Sequence, residues 1–239
     1  MQMPEPFRTE APKNVARIAG AMYLITMATA LFGEGYVRGS LLVSESASQT
    51  AQNIIDSRSL FRLGLATDLI TFTGVVVLVW SLHQLLRPVN TRLALLAAFF
   101  RLVELGVHFS AVAFGLAAAS LLGGGEYVKA FNAEQLAGLA GLALRAQGAG
   151  LTIGFIPLGI GSAIFSWLLF QSAYVPRVLA AWGIVASLLL ALYALAWVIT
   201  PSTTDFFYVA MLPMFIYEVG LGLWLVVKGA RTSTTSAAS

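Results

Sequence analysis

Hydrophobic residues fill six long runs, Val15–Phe32, Leu63–Leu86, Leu93–Leu122, Ala149–Phe170, Val178–Ile199 and Phe206–Val227, and polar residues crowd the links between them. A helix crosses a bilayer in about 20 mostly apolar residues, because in hydrocarbon the backbone must satisfy its own hydrogen bonds. Each run meets that length within some tilt. The pattern therefore predicts an all-α integral membrane helical bundle with six transmembrane helices. The expected division is a cytoplasmic N-terminal segment at 1–14, a six-helix transmembrane domain at 15–230, and a disordered cytoplasmic tail, "RTSTTSAAS", at 231–239.

The links orient the spans. "RPVNTR" (Arg87–Arg92) and "QSAYVPR" (Gln171–Arg177) join proline, which breaks helices, to arginine, which resists translocation, and both read as cytoplasmic turns. Eight of the fourteen basic residues then lie inside: Arg8, Lys13, Arg17, Arg87, Arg92, Arg177, Lys228 and Arg231. The outer side takes Arg38, Arg58, Arg62, Lys129 and Arg145, partly offset by acidic residues. The bias places both termini in the cytoplasm, N-in/C-in. The first run, with "ATA" at Ala28–Ala30, also has the outline of a cleavable signal peptide, and cleavage would leave five helices. Its long leader of mixed charge favours a retained span. After the helix-stopping "GGG" at Gly123–Gly125, "NAEQLAGLAGLALRAQG" (Asn132–Gly148) has leucines spaced for a helix. Two readings stand: a helix along the membrane interface, or an outward extension of the fourth span. No strong internal repeat is visible.

Composition agrees with the pattern. The chain is 58% hydrophobic and 10% charged, against about 25% charged in soluble domains. Its net charge of +3 comes from Lys and Arg scattered at segment ends, which is how topology is written rather than how nucleic acid is bound. The expected partner is the lipid bilayer. There is no cysteine, which excludes disulfides, iron–sulfur clusters and thiolate metal sites.

The departures from the apolar pattern are the candidate chemistry. "LLAAFFRLVELGVHFS" (Leu95–Ser110) carries Arg101, Glu104 and His108, which fall within about 60° on a helix and so form one stripe. Asp68 in the second run and Glu218 in the sixth are similar exceptions. Charged groups facing lipid cost several kcal/mol, so all five are expected to face protein. Counted at about 1.5 Å per residue, Arg101, Glu104 and Glu218 share one depth and His108 and Asp68 another. The expectation is an inner cluster of Arg101 with Glu104 and Glu218 and an outer pair of Asp68 with His108. Such a network either fastens helices together or handles a proton, ion or polar ligand. Pro157, in "GFIPLGIGSA", and Pro213, in "MLPMFIYEVG", are candidate helix breakers; each either frees a backbone carbonyl for a ligand or makes a packing kink.

Enzyme readings find little. His83 lies near the cytoplasmic end of its helix and His108 far deeper, a poor arrangement for ligating one haem. The chain has no HExxH, no histidine-rich cluster, no GxSxG elbow, no Walker loop and no dinucleotide fingerprint. "GIGSA" puts Ser162 in a membrane helix, superficially like an intramembrane serine protease, but the last two helices offer no histidine base. No catalytic motif, metal or cofactor is expected.

"SLFRLGLATDLI", "LLRPVNTRLALLAAFFRLVE", "QSAYVPRVLAAWGIVASL" and "EVGLGLWLVVKG" resemble the bacterial polytopic membrane proteins grouped as domain of unknown function 4386, over about residues 15 to 230. The resemblance implies a multi-pass protein of the bacterial cytoplasmic (inner) membrane and brings no reaction, ligand or catalytic residue. The leading functional expectation is proton or small-solute handling by the buried network. The alternatives are a non-catalytic membrane-interaction or lipid-binding module and, least supported, an embedded enzyme. Oligomeric state is left open. Reporter fusions at Gln171 and Ser233 should read cytoplasmic and one at Gly124 external; the reverse at Gly124 would overturn the helix order.

Overall fold

The computed structural model of the chain describes residues 7–200 and 206–230. α1 (Phe7–Ala30) runs into a π-helical segment (Leu31–Arg38) and a last turn at Gly39–Leu41. α2 (Ala47–Asp56), α3 (Arg58–Leu86), α4 (Thr91–Gly123), α5 (Ala133–Ser172), α6 (Arg177–Ile199) and α7 (Phe207–Val227) follow, and there is no strand among the described residues. All but α2 are long and apolar enough to cross a membrane, which gives six candidate spans. The expected tail at 231–239 lies outside the described residues.

Local chemistry sets the ends. Ser46 caps α2 by accepting from the Gln49 amide at 3.2 Å, and Asn90 caps α4 by accepting from the Leu93 amide at 3.0 Å. At α5, Asn132 and Gln135 exchange bonds of 2.9 Å, each side chain accepting from the other's backbone amide, the reciprocal capping box. α4 stops where Gly124 turns left-handed at φ +73°, a conformation glycine enters without strain.

Three features differ from the sequence expectation. The first span extends over Lys13–Leu41, so Arg38 belongs to it rather than to an outer loop. α2 is a short helix, which buries Thr50, Ala51 and Ile54, in the link between the first and second apolar runs. Of the two readings of Asn132–Gly148, the extension of the fourth span is the one found, as α5 is a single helix of 40 residues.

The chain divides into two compact units. The first comprises Met1–Leu24, Val75–Leu102 and Ile156–Ser239, and the second Ile25–Gly74 and Val103–Phe155. In the second unit, α1 with its π-helical segment packs antiparallel to α3: Val37 meets Gly64, Gly33 meets Asp68, Thr29 meets Thr71 and Thr26 meets Gly74. α4 and α5 pack there in the same manner, Gly115 against Gln147, Ala111 against Gly150, and His108 against Gly154. In the first unit, Gly161 of α5 faces Ala97 and Arg101 of α4, Gly159 faces Ser187 and Ala191 of α6, and α6 packs along α7. Gly20 of α1 lies against the backbone of Gly222 and Val226 in α7. Lipid tails are as apolar as leucine, so helices in a membrane gain from close backbone approach, and small residues permit it.

A Cβ on Gly20 would sit 2.7 Å from both the Gly222 oxygen and the Val226 nitrogen, whereas one on Gly106 of α4 would meet nothing within 4 Å. Gly20→Ala should therefore lower thermal stability in detergent by an overpacking cost of about 1–3 kcal/mol. Gly106→Ala should be neutral or stabilising by up to about 1 kcal/mol through helix propensity. Equal effects of the two substitutions would dissolve the packing argument.

Candidate functional site

The second unit holds two ionisable groupings. On the π-helical segment, Glu34 and Arg38 are four residues apart and ion-paired, and Arg38 also pairs with Asp68 of α3. The guanidinium grips Asp68 through both terminal nitrogens, the longer contact being 3.5 Å to Oδ1, the forked geometry that arginine and carboxylate share. Asp68 is buried while Glu34 opens to the surroundings. Small residues make the pairing possible. A Cβ on Gly33 would lie 3.0 Å from Asp68 Oδ1, and one on Gly64 would strike Val37 at 2.8 Å. Beside them Thr71 donates to Thr29 at 2.7 Å.

The other grouping lies on α4. His108 Nδ1 is 3.5 Å from Glu104 Oε1, one turn away, and its Nε2 is 3.1 Å from the Leu151 carbonyl oxygen of α5. The ring is stacked obliquely on Phe72 at 5.1 Å and meets Phe155 edge-on at 6.0 Å. Gly154 closes the remaining side, where any Cβ would collide with the imidazole. A carbonyl only accepts, so Nε2 carries a proton and donates it to Leu151. Nδ1 then faces a carboxylate oxygen, and the contact is attractive only with a proton on one of the two atoms. Both side chains are buried, at 2% and 4% exposure.

In the first unit Arg101 donates to Ser162 Oγ at 3.3 Å, with its aliphatic stem laid on Gly161. One turn along α5, Ser166 donates to the Ser162 carbonyl at 2.7 Å and bonds the Tyr217 hydroxyl of α7 at 2.7 Å. Gly183 of α6 leaves room for the Tyr217 ring. Glu218 is buried beside Tyr217 and within electrostatic reach of Arg101.

Each of the five residues singled out from the sequence is buried. The expected partner of Asp68 is corrected: its carboxylate goes to Arg38 instead of to His108. Arg38 and Tyr217 were missed. The spacing of Glu34 and Arg38, opposite charges one turn apart, was the available signal for Arg38; Tyr217, in an apolar helix, had none. Neither proline ends its helix, for α5 runs through Pro157 and α7 through Pro213. The Pro213 carbonyl accepts from Trp182 Nε1 at 3.0 Å. Among the described residues no grouping of His, Asp and Glu could hold a metal ion.

The sequence over residues 18–229 matches the family described as domain of unknown function DUF4386. The chain belongs to that family. No curated protein and no solved structure matches it. Family membership and the six long apolar helices make it a polytopic membrane protein, and the buried ionisable side chains are what its chemistry has to work with.

Removing one member of a buried charge pair costs about 3–5 kcal/mol, because the other is left without compensation. Arg101→Ala should therefore destabilise the protein strongly, and adding Glu218→Gln should restore part of the loss. Thermal unfolding in detergent of the wild type, both single variants and the double variant measures the coupling, expected at about 0.5–3 kcal/mol. Additive losses would dismiss the pair.

Proposed function

We propose that this membrane protein handles protons, with Glu104 and His108 as the group that takes up and passes on the proton. The observation that carries the proposal is the contact of His108 Nδ1 with Glu104 Oε1 at 3.5 Å while Nε2 is committed to the Leu151 carbonyl. Two acceptors placed face to face inside a span need a proton between them. Histidine is the side chain that exchanges one most readily near neutral pH. An ionisable group in a membrane segment is a functional candidate on energetic grounds alone. Arg38–Asp68 carries a different role in this reading. The carboxylate is already gripped by a permanent cation, and the pair fastens α1 to α3.

The same proposal places the chain in a bacterial cytoplasmic membrane with both ends inside, on the support of the arginine-bearing turns at Arg87–Arg92 and Gln171–Arg177. A small solute travelling with the proton would use the Arg101–Ser162 and Ser166–Tyr217 groups, whose hydroxyls and guanidinium are buried polar groups of the first unit.

Proteoliposomes loaded with a pH-sensitive dye test the reading. After an external acid step the reconstituted protein should acidify the lumen faster than empty vesicles, and Glu104→Gln and His108→Gln should each slow it by about a hundredfold, the low end of what a positioned proton-transfer group contributes. Both variants should still be judged folded by an unfolding midpoint near that of the wild type. Wild-type vesicles no leakier than empty ones, or folded variants that conduct as the wild type does, would refute proton handling at this pair.

A further inference from the structure

On its outer surface the second unit carries a feature that the buried network does not use. Arg58 and Arg62 open α3 one turn apart, both exposed, and with Ser59 they line a recess of ≈320 Å³ whose floor is Ile54, Phe61 and Leu122. Arg62 also lines a second recess of ≈230 Å³, otherwise walled by Leu65, Ala66 and Leu69 of α3 and by Leu116, Ala119 and Ser120 of α4. The two recesses share Arg62 and Ala119 and so neighbour one another along the α3–α4 groove.

The residues of α3 that line this groove follow helical spacing: Arg58, Arg62, Leu65, Ala66 and Leu69 lie on one face. Along about 16 Å of helix that face changes from two guanidinium groups to bare hydrocarbon. Leu69 is 38% and Leu116 49% exposed, as suits walls that meet an acyl chain. Arg58 spends one donor on the Gly123 carbonyl at 3.2 Å, closing the C-terminus of α4. Its other donors, and all five of Arg62, form no ion pair among the described residues. Asp56, the nearest acidic residue in sequence, accepts from Gln52 at 2.9 Å.

We infer that the α3–α4 groove binds an anionic phospholipid, its phosphate held by Arg58 and Arg62 and one acyl chain laid against Leu65, Leu69 and Leu116. Two arginines that only snorkel from a span end would explain the charge but not the apolar groove that begins beneath the same side chain. Charge complementarity selects the lipid class. Paired guanidinium forks match phosphate oxygens, and a site of net positive charge prefers a headgroup that adds no compensating cation.

Native mass spectrometry of the full chain in non-ionic detergent, titrated separately with phosphatidylglycerol, phosphatidylcholine and inorganic phosphate, tests the site. Phosphatidylglycerol should stay bound at about tenfold lower concentration than phosphatidylcholine, and the double change Arg58→Gln with Arg62→Gln should erase that preference. Leu69→Trp, which fills the groove and leaves both charges, should weaken phosphatidylglycerol severalfold. Arg58 touches the end of α4, so Arg62→Gln alone, which removes no described hydrogen bond, keeps the test valid if the double variant unfolds; it too should lose most of the preference. Equal retention of the two lipids, or a folded Arg62→Gln protein that binds phosphatidylglycerol as the wild type does, overturns the inference. Displacement of the lipid by millimolar inorganic phosphate would overturn it as well, making the site one for a free anion.

Discussion

Close approach of helix backbones is the constraint on which the remainder depends. In water, helices are driven together by burying apolar side chains; in a bilayer that drive is absent, and what remains is packing and hydrogen bonding across the contact. Helices of this chain meet where one of them has no side chain. Gly20 lies on the backbone of Gly222 and Val226, Gly159 on that of Ser187, and Gly64 takes the branched side chain of Val37. At such positions even a methyl group forces separation, so register is set by where the glycines fall.

The polar groups follow from the same constraint. Gly33 faces Asp68, Gly154 faces His108, Gly161 faces Arg101, Gly183 faces Tyr217 and Gly115 faces Gln147. In each case the missing side chain on one helix is the space that a polar side chain on the next one occupies. A buried charge must find its partner within hydrogen-bond distance, since the low-dielectric surroundings enlarge both the attraction and the penalty for missing it. A long polar side chain crossing to a glycine reaches the neighbouring backbone or a hydroxyl, as His108 does at Leu151 and Arg101 at Ser162. The glycines that fix packing also decide which ionisable groups can exist inside the spans.

This explains what could be read from the chain and what could not. Six spans are visible as apolar runs because bilayer thickness sets their length, and the Arg101, Glu104 and His108 stripe is visible because helical periodicity is local. Partner choice is not local. Asp68 meets Arg38 through a register set by Gly33 and Gly64, residues separated by a turn, a short helix and the start of another. The apolar run stops at Phe32, since "GEGYVRGS" mixes glycine with both charges, yet Glu34 and Arg38 neutralise one another one turn apart and the helix continues. Tyr217 escaped for the opposite reason: an aromatic residue in an apolar helix is indistinguishable from core until Ser166 is placed beside its hydroxyl.

The two ionisable groupings of the second unit differ in a way that bears on function. In the first, the permanent charge of Arg38 lies between the carboxylates of Glu34 and Asp68, and protonating either carboxylate would weaken the grouping. In the second, an imidazole and a carboxylate face one another, and aromatic and glycine walls fix the position of the ring. The histidine of α4 lies one helical turn from a carboxylate and is held by Phe72, Phe155 and Gly154, so the contacts that pack α4 against α3 and α5 are the same ones that fix the imidazole beside Glu104.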